Sequence, residues 1–130
     1  MTTRTQLMGT TTSPIAIAAG ASAIYKGQLQ DDSGNAISAA QLGTLTLSIV
    51  DTFSGAIINS CSQANILNTG RGTVDSAGNL TVTLGPSDTA LLVSTDQQEY
   101  RSLVFDWTYA SGTKIGRHQV DLLIQALSGP

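Results

Sequence analysis

From residue 24 onward, apolar and polar positions alternate with a period of two, and turn-forming clusters break the alternation roughly every 8–15 residues. That spacing predicts strands and leaves almost no room for helix. Residues 24–30 read as a strand closed by Asp31-Asp32-Ser33-Gly34-Asn35, where Gly34 and Asn35 tolerate positive φ. Residues 43–51 alternate most cleanly, with Leu45, Leu47 and Ile49 on one face and Thr44, Thr46 and Ser48 on the other. Thr52-Phe53-Ser54-Gly55 then turns the chain into a short strand over 56–59, and the polar stretch 60–68 reads as an edge segment.

Residues 72–74 and 79–84 flank Asp75-Ser76-Ala77-Gly78 and predict a hairpin. Pro86-Ser87-Asp88 offers a cap for one helical turn over 89–93, read as a crossover between sheets. The last hairpin runs over 99–109 and 114–126 around the turn 110–113. Leu103, Phe105, Trp107 and Tyr109 share one face, and Val120, Leu122 and Ile124 share the facing one. These residues, with Leu45, Leu47 and Ile49, form the expected core. About seven strands with such crossovers predict an all-β, immunoglobulin-like β-sandwich over residues 23–130. A jelly roll or a small barrel is the other closure compatible with the pattern.

Residues 1–22 carry little charge, no helical period and several β-branched residues, and read as an extended N-terminal arm. A polar arm of this kind orders by docking, first on a neighbouring subunit and otherwise on the chain's own body. Thr2, Arg4, Leu7, Met8, Ile15 and Ile17 are the expected assembly contacts. Ala21-Ser22-Ala23 has the small-x-small form of a signal-peptidase site, but the stretch 9–14 interrupts the apolar run that a signal peptide needs. The expectation is an unprocessed chain, with no stretch approaching the ~20 apolar residues of a membrane-spanning helix.

The 130 residues suit one domain, and 41% hydrophobic content is enough for a core without disulfides. Charged residues are only 12%, whereas serine and threonine supply 31 positions, so the surface is hydroxyl-rich rather than ionic. A net charge of -3 supplies no basic field for nucleic acid or anionic membrane, and neither is an expected partner.

Candidate chemistry is sparse. Cys61 stands alone, in a polar segment with no adjacent cation to activate it, and reads as inert. His118 is the sole imidazole; it lies two residues before Val120, and the period puts it on the apolar face as a strand histidine rather than a base. Asp31, Asp32, Asp75 and Asp88 occupy turn positions that cap backbone N–H groups. Glu99 and Asp106 are expected to pair with Arg101 or Arg117 across strands, each pair worth about 0.2–1 kcal/mol. No metal-ligand spacing or phosphate-cradling glycine loop occurs, so the expectation is a non-enzyme with no catalytic residues, metal or cofactor. Trp107 and Tyr109 suit core packing better than a sugar-stacking platform.

Five segments together resemble the immunoglobulin-like domains of tailed-bacteriophage structural proteins: Tyr25-Lys26-Gly27-Gln28-Leu29, Asp32-Ser33-Gly34-Asn35-Ala36-Ile37, the stretch 52–59, the stretch 78–88, and Phe105-Asp106-Trp107-Thr108-Tyr109. The likeness covers about residues 20–127, and 57–68 is its more specific part. It is similar to the amino-terminal domains of upper baseplate proteins and to small virion proteins of the head and connector. Upper baseplate proteins carry a long carboxy-terminal region beyond this likeness, which shifts the expectation toward the head–tail neck, connector or head surface. The resemblance implies a structural part of the virion whose partners are other virion proteins and copies of itself in a symmetric ring or shell. The alternatives are a baseplate or tail protein and a glycan-binding sandwich module; an adhesin-like subunit and an enzyme rank below them.

Overall fold

The computed structural model describes residues 15–126. Its strands are β1 (Ile15–Ala18), β2 (Ala23–Gln28), β3 (Leu42–Asp51), β4 (Ala64–Asn65), β5 (Gly72–Val74), β6 (Asn79–Leu84), β7 (Gln98–Tyr109) and β8 (Lys114–Gln125), with one short α-helix, α1 (Pro86–Thr89), and a single 3-10 turn at Ala39–Gln41. They form a five-stranded sheet of order β1-β8-β7-β3-β4 and a three-stranded sheet of order β2-β6-β5. All pairings are antiparallel except β1 on β8. The inward faces of both sheets share one hydrophobic cluster, and the Tyr25 ring of β2 stacks on Phe105 of β7 at 5.6 Å between centroids. The protein is an all-β, two-sheet sandwich.

Alternation explains the core. Leu45, Leu47 and Ile49 of β3, Leu103, Phe105, Trp107 and Tyr109 of β7, and Val120, Leu122 and Ile124 of β8 are all buried. The three-stranded sheet answers with Tyr25, Leu80, Val82 and Leu84. Trp107 lies flat against its register partner Gly116, where a Cβ would overlap the indole at Cε2 and Nε1. Gly116→Ala is therefore expected to destabilise the fold by about 1–3 kcal/mol through overpacking. Chemical denaturation followed by Trp107 emission measures it, and a midpoint unchanged from wild type would contradict the packing.

Local chemistry moves three elements from their expected places. The segment 56–59 makes only a single bridge, Ile57 to Val50, because Asn59 and Ser60 turn the backbone to positive φ; edge pairing resumes at β4. The helical turn begins at Pro86 rather than Thr89, since the Asp88 carboxylate accepts the Gly85 N–H and Pro86 sits in the first turn with no N–H to satisfy.

The third concerns the arm. Ile15–Ala18 pairs in parallel with the chain's own β8, Ile15 opposite Leu122 and Ala18 opposite Gln125. Gly20 then donates to the Thr89 carbonyl, and the Thr89 hydroxyl donates to the carbonyl of Ala21. The body therefore includes residues 15–22, and the expected division at residue 22 moves toward the N-terminus. Ile17 packs against the core, while Ile15 stays partly exposed at the sheet edge. Thr2, Arg4, Leu7 and Met8 lie outside the described residues.

Candidate functional site

The inward positions of β7 run 99, 101, 103, 105, 107, 109, so strand parity carries two charged residues, Glu99 and Arg101, onto the apolar face. Arg101 is 0% exposed. Its Nη1 lies 2.9 Å from Glu99 Oε1 and 3.7 Å from Asp51 Oδ1, and its Nη2 donates to the Ala90 carbonyl at 2.5 Å. The Glu99 carboxylate accepts the backbone N–H groups of Leu92 and Val93 at 2.8 and 3.0 Å. One ion pair thus fastens the β6–β7 connection to the end of the sandwich.

Burial pushes the Glu99 carboxyl up, but the Val93 and Leu92 N–H donors, a hydrogen bond shared with Asp96, and Arg101 outweigh it and hold it at about 2. Asp96 moves the opposite way, raised first by that hydrogen bond with Glu99 and then by burial and the charges of Glu99 and Asp51.

Outside this buried pair lies an apolar rim. Phe53 is 80% exposed and meets Tyr100 edge-on at 5.5 Å and 86°, and Leu92 and Val93 are each more than half exposed. With Asp51, Asp96 and Glu99 they line a concavity of about 460 Å³. Leu92 and Val93 on the pinned loop and Phe53 on the 52–55 turn together hold large apolar groups in solvent, the kind of patch that contact surfaces use.

Two other surfaces compare with it. At the opposite end, a broader hollow of about 570 Å³ is bordered by Asp31, Asp32, Gln41, Tyr109 and Lys114, with an exposed Lys114–Asp32 pair at 3.1 Å. Along one side, Ile15 and the 63%-exposed Ile24 flank a narrow cleft over Tyr25, Leu84 and Leu122. Neither combines exposed aromatic surface with charge.

The remaining polar candidates serve the fold. Asp88, nearly buried, is pushed up by burial but held below its usual range by Asn59 Nδ2 at 3.0 Å, the Gly85 N–H at 2.8 Å and Arg71 at 2.5 Å. Asp31 caps Ser33 and Asn35, and Asp75 caps Ala77 and Asn79. Cys61 is buried, with its thiol facing the Leu47 carbonyl at 3.5 Å, and burial pushes that thiol up. His118 is half-buried opposite Phe105.

Arg117 and Asp106 form the cross-strand pair expected of them, at 3.1 Å, with Arg117 exposed and Asp106 half-buried. Glu99 and Arg101 instead pair along one strand, inside. Trp107 and Tyr109 are buried, so neither is a sugar platform. The exposed aromatic rim at Phe53 was missed because its segment reads as a turn, where composition does not say which way a side chain points. Compared with protein-family models, curated proteins and solved structures, the chain finds no match.

Proposed function

We propose that this chain is a non-enzymatic structural component of a bacteriophage virion, placed at the head–tail neck, the connector or the head surface. It assembles through its N-terminal arm and the end of its sandwich. The observation that carries this reading is the rim of Phe53, Leu92 and Val93, the last two held out in solvent on a loop that Glu99 and Arg101 pin in place. Such a surface suits a permanent protein contact. The net charge of -3 gives no attraction to nucleic acid or anionic membrane.

The strand order supports an immunoglobulin-like assignment. Taking β2 through β8 as strands B, C, C′, D, E, F and G gives one sheet of G, F, C and C′ and another of B, E and D. The first strand departs from the constant-type arrangement by joining G rather than B. A baseplate or tail position would use the same surfaces with different neighbours. A glycan-binding module is favoured only by Phe53 and Tyr100 beside the carboxylates of Asp51 and Asp96.

Deleting residues 2–13 tests the reading. A cut through residue 20 would strip β1 from β8 and confuse anchoring with folding, whereas this one leaves β1 whole. The shortened chain is expected to keep its denaturation midpoint and to vanish from purified particles. Normal incorporation would contradict an anchoring arm.

A further inference from the structure

We infer that the concavity around Phe53, Leu92 and Val93 receives the first residues of a second copy of this chain, so that copies join head to tail. The inference rests on the structural-component reading and names the partner of that surface. Its first support is direction. β1 runs parallel to β8, so at Ile15 the backbone points back toward the end of the sandwich where β8 begins at Lys114 and β7 finishes at Tyr109. The concavity lies at the other end, where β7 starts at Gln98 and β3 finishes at Asp51. A donor segment aimed from one end and a receptor at the opposite end make a heterologous contact, which closes into a ring or repeats as a column.

Reach is the second support. Ile15 pairs with Leu122, eight positions along β8 from Lys114, or about 26 Å at ~3.3 Å per residue. The fourteen residues that precede Ile15 in the sequence span up to about 46 Å when extended. About six of them, Arg4 included, can pass beyond the end of their own sandwich. Docking on the same molecule would require the chain to reverse direction before it reached Ile15.

Charge is the third. Arg4 is the sole charged side chain in residues 1–14, accompanied by the apolar Met1, Leu7 and Met8. The receptor sets the carboxylates of Asp51, Asp96 and Glu99 against one cation, Arg101, and surrounds them with apolar surface. A segment whose one charged side chain is a cation complements a hollow with excess negative charge.

Engineered cysteines in the full-length chain decide the matter. Cys61 is buried and stays out of reach of mild oxidants. A chain carrying both Thr5→Cys and Val93→Cys is expected to give a ladder of covalent multimers on a non-reducing gel, collapsed by reductant. A mixture of the two single variants should give mainly the mixed dimer, and adding Arg4→Glu should cut the ladder's yield roughly tenfold through like-charge repulsion. Three results would overturn the inference: an internal disulfide in monomers, which means same-chain docking; a predominance of V93C–V93C dimers, which means the rims meet each other; or no cross-link at all. Incorporation of the wild-type chain into particles is scored separately. A chain that enters particles but forms no ladder defeats this contact and leaves the structural reading standing; a chain that forms the ladder but never enters particles does the reverse.

Discussion

Arg101→Met is expected to destabilise the protein by about 3–5 kcal/mol at neutral pH, because it strands Glu99 and Asp51 without their buried cation. The Ala90 carbonyl loses its donor as well, so the 90–97 connection loosens together with the core. Adding Glu99→Gln to this variant should return part of the loss by removing the unpaired charge, and the double-mutant cycle isolates the pair. A midpoint for Arg101→Met within about 1 kcal/mol of wild type would show that the pair contributes little.

The Glu99 carboxylate, held chiefly by the Val93 and Leu92 N–H donors, fixes a pH dependence. Glu99 has its folded pKa held at about 2, below its ordinary 4.5, so the folded state binds fewer protons than the unfolded state between those values. Its stabilisation is complete above about pH 5 and drains away as pH falls toward 2. Asp96 has a raised pKa and the opposite sign: what it contributes is present at low pH and is lost as pH rises through its folded value. Glu99 makes the larger departure, so this cluster gives a stability that climbs from pH 2 to pH 5. In Arg101→Met that climb should shrink but persist, since the Val93 and Leu92 N–H donors remain, and denaturation series at pH 3 and pH 7 would measure it.

Trp107→Ala carries the other large effect, about 3–5 kcal/mol, as the loss of the largest fully buried side chain. Trp107→Phe should cost much less, since the indole Nε1 has no hydrogen-bond partner among the described residues and the smaller ring gives up only apolar contact. Wild-type Trp107 emission is expected to be blue-shifted and shielded from acrylamide. Added glycans should leave it unchanged. An emission shift with a simple sugar would contradict the burial.

These effects also show where the sequence was legible. β3, β7 and β8 declared themselves because one face of each touches a core and the other faces solvent, which forces a period of two. The turns at 31–35, 75–78 and 110–113 were equally plain, as carboxylate and glycine chemistry needs only local residues. The parallel pairing of β1 with β8 was not. Ile15 and Ile17 alternate over too few residues, and which strand accepts them depends on where the rest of the sheet leaves an edge.

Arg101 is a different failure. The alternation that located Leu103 and Trp107 also runs through Glu99 and Arg101. It was overridden by the general preference of charged residues for solvent. Following parity two steps further would have placed both inside and pointed to the pinned loop. The exposure of Phe53, Leu92 and Val93 could not have been read at all, because it depends on how the 52–55 and 90–97 segments sit against β7 after the sheet is built.

Quantitative mass spectrometry of particles purified from the source tests the central claim most directly. The account predicts that the chain co-sediments with the particle in a fixed copy number, about three to eighteen for a neck or connector ring and hundreds for a head-surface array. Its absence from particles would contradict the account.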